Sequence, residues 1–115
     1  MNIVITNKGL QDTAKLVAGG DIAPFKYIAI GDGSGDISNN DNSLFNEIKR
    51  EEATVSYNGN TLILTHTFFI SGSATIREAG IFNSATNGNM YLHSSFGDIT
   101  LENEDFQVEI DIEYE

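Results

Sequence analysis

Thr54-Val55-Ser56-Tyr57-Asn58-Gly59-Asn60-Thr61-Leu62-Ile63-Leu64-Thr65-His66-Thr67-Phe68-Phe69-Ile70 is the stretch that decides the fold. Asn58-Gly59 supplies the positive φ angles that a tight type I′ turn needs. The segments on either side, Thr54 to Tyr57 and Asn60 to Ile70, are rich in β-branched, aromatic and other apolar residues, so the whole reads as a β-hairpin. In its second arm Leu62, Leu64, Phe68 and Ile70 share one face with His66, while Ile63 and Phe69 fall on the other. Apolar residues on both faces need two covers. The helix or a neighbouring subunit is the expected second cover, which makes Ile63 and Phe69 candidate interface residues.

Downstream, Ser71-Gly72-Ser73 is expected to turn the chain, Ala74 to Phe82 to form a strand, and Thr86-Asn87-Gly88 to turn again. Met90 to Phe96 is the next strand, closed by Gly97-Asp98. The last is the clearest, because Phe106, Val108, Ile110, Ile112 and Tyr114 alternate with Gln107, Glu109, Asp111, Glu113 and Glu115. Upstream, Thr6 or Asn7 can cap a helix over about residues 6–18, with Leu10, Ala14 and Val17 at helical spacing and Gly19-Gly20 as its stop. Phe25 to Ile30 reads as a strand apolar on both faces, placed in the middle of a sheet or against the helix. A loop follows to about Asn42, and Ser43 to Ile48 is expected to make one short helical turn before Lys49-Arg50-Glu51-Glu52. The prediction is a single domain, 1–115, mainly β within the α+β class: an antiparallel sheet or sandwich with one N-terminal helix.

The chain has 17 acidic residues against six basic ones, a formal charge of -11. Nucleic-acid binding, which draws on Lys and Arg contacts to phosphate, is therefore disfavoured, as is an anionic membrane surface. No apolar run approaches the roughly 20 residues of a membrane-spanning helix, so no membrane insertion is expected. The absence of cysteine removes disulfides, thiolate nucleophiles and cysteine-ligated zinc.

Tyr27-Ile28-Ala29-Ile30-Gly31-Asp32-Gly33-Ser34-Gly35-Asp36 ends a strand in a loop of glycines and acids. Without a lysine or arginine inside it, this loop would repel phosphate. A hard cation fits its oxygens better, and Asp32, Ser34, Asp36 and Asp41 are candidate calcium ligands. The EF-hand pattern nevertheless fails, with Ile37 at its glycine position and Ser43 at its terminal glutamate position. The competing reading is a solvated turn loop. His66 and His93 lie in different strands; His93 beside Ser94-Ser95 marks no nucleophile elbow, and no zinc spacing is present. The expectation is a protein that is not an enzyme and needs no cofactor, calcium being the only candidate. Arg77-Glu78 sits in the middle of an apolar strand, where an unpaired charge is costly. Arg50 and Arg77 are the candidates to pair with Glu47 or Glu78, and one of them is expected to form a partly buried ion pair with Glu78 that pins this strand to the segment from Leu44 to Arg50. Gly80 suggests a bulge or a close backbone approach.

Taken in order, Ile5-Thr6-Asn7-Lys8-Gly9-Leu10, Phe25-Lys26-Tyr27-Ile28-Ala29-Ile30-Gly31-Asp32-Gly33, Leu44 with Glu47 and Arg50, and Glu78-Ala79-Gly80-Ile81-Phe82 resemble small tail-fibre-like proteins of tailed bacteriophages and prophages. The resemblance covers almost the whole chain through short motifs. It implies a structural virion component, a tail-fibre, fibre-attachment or baseplate-associated protein. Such a part would assemble as a homo-oligomer, a trimer or hexamer, and dock to other phage tail proteins, in the virion tail and, during assembly, in the bacterial host cytoplasm. No collagen-like repeat, heptad run or β-repeat shaft follows the recognisable part. The alternative reading is a carbohydrate- or calcium-binding β module, suggested by Asp32 to Asp41 and by Tyr27, Tyr57, Tyr91 and Tyr114.

Overall fold

The computed structural model describes residues 1–115 as β1 (Asn2–Ile5), α1 (Asn7–Val17), β2 (Tyr27–Gly31), β3 (Glu47–Glu52), β4 (Thr54–Asn58), β5 (Thr61–Phe82) and β6 (Met90–Glu113). The fold is mainly antiparallel β with one N-terminal helix, as the alternation predicts. All strands belong to one sheet of order β1-β6-β5-β2-β3, with β4 paired to β5 beyond the end of β2.

The organising element is the β5–β6 ribbon, paired from Phe82↔Met90 at its turn to Thr61↔Glu113 at its far end. Ser71-Gly72-Ser73 and Gly97-Asp98, expected as turns, do not reverse the chain; both strands run on through them. The reason is that each irregularity is absorbed across the ladder. Ser71 and Gly72 together oppose Asn103, a β-bulge in which Gly72 (φ 78°) and Asn103 (φ 48°) both take positive φ and the Gly72 N–H donates to Asn103 Oδ1 at 2.7 Å. Between the pairs Ile76↔Ile99 and Glu78↔Ser95, Arg77 faces the longer excursion Phe96-Gly97-Asp98 and holds it with Nε on Asp98 Oδ1 at 2.9 Å. A turn signal matched by a partner on the adjacent strand bends a ribbon instead of ending it.

Bent in this way, the ribbon closes on its own apolar face. Leu64, Phe68 and Ile70 from its outer half share one core with Ile76, Ile81, Tyr91, Leu92 and Leu101, joined by Ile28 and Ile30 of β2. The Tyr91 and Tyr114 hydroxyls meet at 2.6 Å where the two halves converge. The Asn58-Gly59 signal does make the β4–β5 hairpin, with Asn58 paired to Thr61. Of the two loop residues only Gly59 has positive φ (62°), the pattern of a type II′ turn where type I′ was expected. Phe69 is exposed and Ile63 half-buried on the outer face, opposite Asp105 and Asp111, while the Leu64 face is covered by the ribbon's own second half.

Strand β2 is apolar on both faces because both are covered. Ile28 and Ile30 enter the main core, whereas Ala29 packs in a second cluster with Leu44, Phe82 and Met90. The expected helical turn at Ser43 to Ile48 is absent: Leu44 is the buried anchor of that cluster, and Glu47–Glu52 is strand β3, paired antiparallel with β2 from Tyr27↔Glu52 to Gly31↔Glu47. Backbone pairing to a central strand outweighs the helical spacing of Leu44, Phe45 and Ile48.

Helix α1 is capped as expected, with Thr6 Oγ1 accepting the Gly9 N–H at 2.9 Å, but it packs by a face its apolar spacing does not indicate. Its buried residues are Gly9 and Asp12, while Leu10, Leu16 and Val17 are exposed. The helix is drawn to the β6 backbone: Thr6 donates to the Met90 carbonyl, the Thr6 N–H to the Tyr91 carbonyl, and a Cβ on Gly9 would stand 2.8 Å from that same carbonyl oxygen. Only glycine allows that approach.

Burial, reinforced by the hydrogen bond to Tyr91, raises the Tyr114 phenol pKa above its ordinary value of 10.0. The folded state thus holds this proton more tightly than the unfolded chain, so its contribution is intact below pH 10 and declines as pH rises beyond it. In thermal melts between pH 9 and about 11.5, Tyr114→Phe should lose less stability than the parent protein; an equal or steeper loss would show that the phenol pair does not set the alkaline limb.

Candidate functional site

Glu78, Gly80 and Phe82 of β5, Ala29 and Gly31 of β2 and His93 of β6 fall on the sheet face opposite the main core. On this face the most costly group to bury is the Glu78 carboxylate, which is fully inaccessible. Four donors satisfy it. Oε2 accepts the backbone N–H of Gly33 at 3.1 Å and of Asn46 at 2.9 Å, and Oε1 accepts the N–H of Phe45 at 2.8 Å and faces His93 Nε2 at 2.8 Å. The other ring nitrogen of His93, Nδ1, lies 2.8 Å from Asp41 Oδ2, which also accepts the Ser38 N–H. Both ring nitrogens of His93 are thus engaged, each facing a carboxylate oxygen. Asp41, His93 and Glu78 therefore form a continuous hydrogen-bonded chain from the loop into the sheet.

The glycines of Gly31-Asp32-Gly33 acquire their meaning here. A Cβ on Gly31 would lie 2.6 Å from Glu78 Oε2, and one on Gly33 2.8 Å from the same atom. The loop is a cradle for an anion, and the anion is the protein's own Glu78. Gly80 is also closely approached, though less tightly, with a Cβ there meeting Leu44 Cδ2 at 3.0 Å and the Leu92 carbonyl oxygen at 3.0 Å.

The expected pinning of this strand to the Leu44–Arg50 segment is present, but no arginine makes it; backbone amides and His93 do. Arg50 instead pairs with Glu47, its Nη2 2.7 Å from Oε1 and its Nε 3.1 Å from Oε2, while Nη1 donates to the carbonyls of Ser84 and Asn87. Its guanidinium lies 3.6 Å from the Phe82 ring centroid. Arg50 thus ties β3 to the turn between β5 and β6. Arg77 pairs with Asp98 and donates to the Asp32 carbonyl.

Of the candidate calcium ligands, Asp41 is committed to His93 and Ser38, and Asp32 Oδ1 accepts from the Asn46 side-chain amide. With Asp36 they do not form a cluster of three or more acidic or histidine side chains around one point. His66, on the predicted apolar face, pairs with Glu51 at 2.6 Å and packs edge-on to Phe68. Ser94 turns its hydroxyl to the Ala79 carbonyl and away from His93, so the adjacent pair forms no nucleophile and base.

The Asp41–His93–Glu78 chain was not legible as a unit, since Asp41 sits 52 positions before His93. One signal pointed towards it: a glutamate in a strand apolar on both sides requires hydrogen-bond donors, which a histidine on a neighbouring strand can supply. Comparison of the chain with protein-family models, curated proteins and solved structures found no match.

Replacing Glu78 by Ala orphans three backbone amides and one nitrogen of the buried His93 ring, and should lower the unfolding free energy by about 3 to 5 kcal/mol. Glu109→Ala, on the exposed face of β6, should change it by less than about 0.5 kcal/mol. Urea titration of both variants provides the comparison, and a loss below about 1 kcal/mol for Glu78→Ala would remove the carboxylate from its anchoring role.

Proposed function

We propose that this protein is a structural part of a phage or prophage tail, working by self-association and by docking to other tail proteins in the virion and, during assembly, in the bacterial host cytoplasm. The ordered motif series described above supports this reading. The observation that carries it is the unusual orientation of α1: the helix buries Gly9 and Asp12 and leaves Val17 85% and Leu10 56% exposed. Leu16, with Val55 of β4 and Tyr114, rims an apolar depression of about 240 Å³ beside this helix, and Tyr57 stands 81% exposed on the same strand as Val55. A contiguous exposed apolar patch on a small domain is characteristic of surfaces that become buried in assemblies. The helix also exposes Lys15, one of the six basic residues, whereas its only acid, Asp12, is buried beside Lys8. Presented towards a second copy, this basic and apolar helix complements the acidic outer row Glu109, Asp111 and Glu113 of β6. A contact between two different patches of identical chains closes into a ring when the rotation allows, in keeping with a trimer or hexamer.

Light scattering coupled to size exclusion should give a mass that is a multiple of 12.5 kDa. The double variant Leu10→Asp, Val17→Asp should run as a monomer with an unchanged far-UV spectrum, because neither side chain is buried in the protomer. A parent protein that stays monomeric at high concentration and binds no tail component would overturn the proposal.

A further inference from the structure

A polar cleft of about 920 Å³ opens between the start of α1, the Asn39–Ser43 segment and the β5–β6 turn, with Glu47 and Arg50 in its wall. Its size falls within the range of small-molecule sites. Its lining is distinguished by what is already engaged. Arg50 and Glu47 satisfy each other, Asp41 is held by His93 and Ser38, and Lys8 stands 3.7 Å from the buried Asp12 carboxylate, which has no other cation beside it. Every charge in the wall is balanced within the chain. The side chains of Gln11, Asn39, Asn42 and Asn87, by contrast, line the same cleft as exposed amides that make no hydrogen bond within the protein.

From this arrangement we infer that the cleft binds a neutral polyhydroxyl ligand, a mono- or disaccharide. Each amide offers two N–H donors and a carbonyl acceptor, the pairing that vicinal hydroxyls require, since every hydroxyl both donates and accepts. An anionic ligand gains little, because Arg50 and Lys8 are already committed and Asp41 and Glu47 lie in the same wall. A peptide or lipid gains little either: Phe82 and Ala85 are the only hydrophobic residues lining the cleft, and Phe82 is covered by the Arg50 guanidinium. The site is independent of the proposed assembly surface, which involves Leu10, Val17 and the apolar depression.

The test is a titration of the isotopically labelled full chain with glucose, galactose, mannose, N-acetylglucosamine and lactose, with glucuronate as the anionic comparison, followed by amide NMR. At least one neutral sugar should shift the Asn and Gln side-chain resonances of the cleft with a dissociation constant of about 1 to 10 mM. The Gln11→Ala, Asn42→Ala variant, which removes two side chains without internal partners, should weaken that binding about tenfold and leave the rest of the spectrum in place. No shift with any neutral sugar up to about 50 mM, tighter binding of glucuronate than of the neutral sugars, or equal binding by the variant would each overturn the inference.

Discussion

A single buried carboxylate sets the terms on which this domain is built. Glu78 lies near the turn end of the longest ladder of the sheet, on the face away from the main core, and its charge must be met without water. The donors that meet it come from three places far apart in the chain: Gly33 just after β2, Phe45 and Asn46 just before β3, and His93 in β6. Satisfying one side chain therefore fixes both ends of the 32–46 loop and joins it to the ribbon. Through Asp41 the same network reaches the turn at Ser38, and Asn7 holds that region by donating its N–H to the Asn39 carbonyl, so the helix start is tied to the same point. The second apolar cluster, Ala29, Leu44, Phe82 and Met90, fills the space beside this network.

What the sequence disclosed and what it concealed follow from the range of the interactions involved. The Asn58-Gly59 hairpin, the alternation of Phe106 to Tyr114 and the Thr6 cap are settled by neighbours a few residues away, and all three are present in the structure. The continuity of β5 and β6 is not local. Gly72 carries the conformational freedom of a turn residue, and only Asn103, 31 positions later, makes it a bulge instead. In the same way Ser43 to Ile48 has the spacing of a helical turn, and only β2 beside it makes Glu47–Glu52 a strand. The glycine-acid loop reads from its acids as repelling an anion and suiting a cation, and this is misleading, because its glycines close around an anion that lies inside the protein, Glu78.

Helix α1 shows how weak amphipathic spacing is when a backbone contact competes with it. Docking through Gly9 brings the helix against the β6 main chain and allows Thr6 to bond β6 and the first turn of its own helix at once. Close approach by glycine leaves the larger apolar side chains on the outside. The helix is thus fastened by its cap and its smallest residue, and its hydrophobic surface is left for use elsewhere.

The β5–β6 ribbon also bears on how the chain reaches this structure. Its pairing begins at the short connection between Phe82 and Met90 and extends outward to Thr61 and Glu113, so each new pair closes a loop only slightly larger than the one already formed. A sheet whose final contacts span most of the molecule can in this way be zipped in small entropic steps from one turn, with the bulge at Gly72 and Asn103 reached midway and β1 added to the edge of β6 afterwards. The length of the ladder, which gives the domain its high proportion of long-range contacts, is also what provides a gradual route to them.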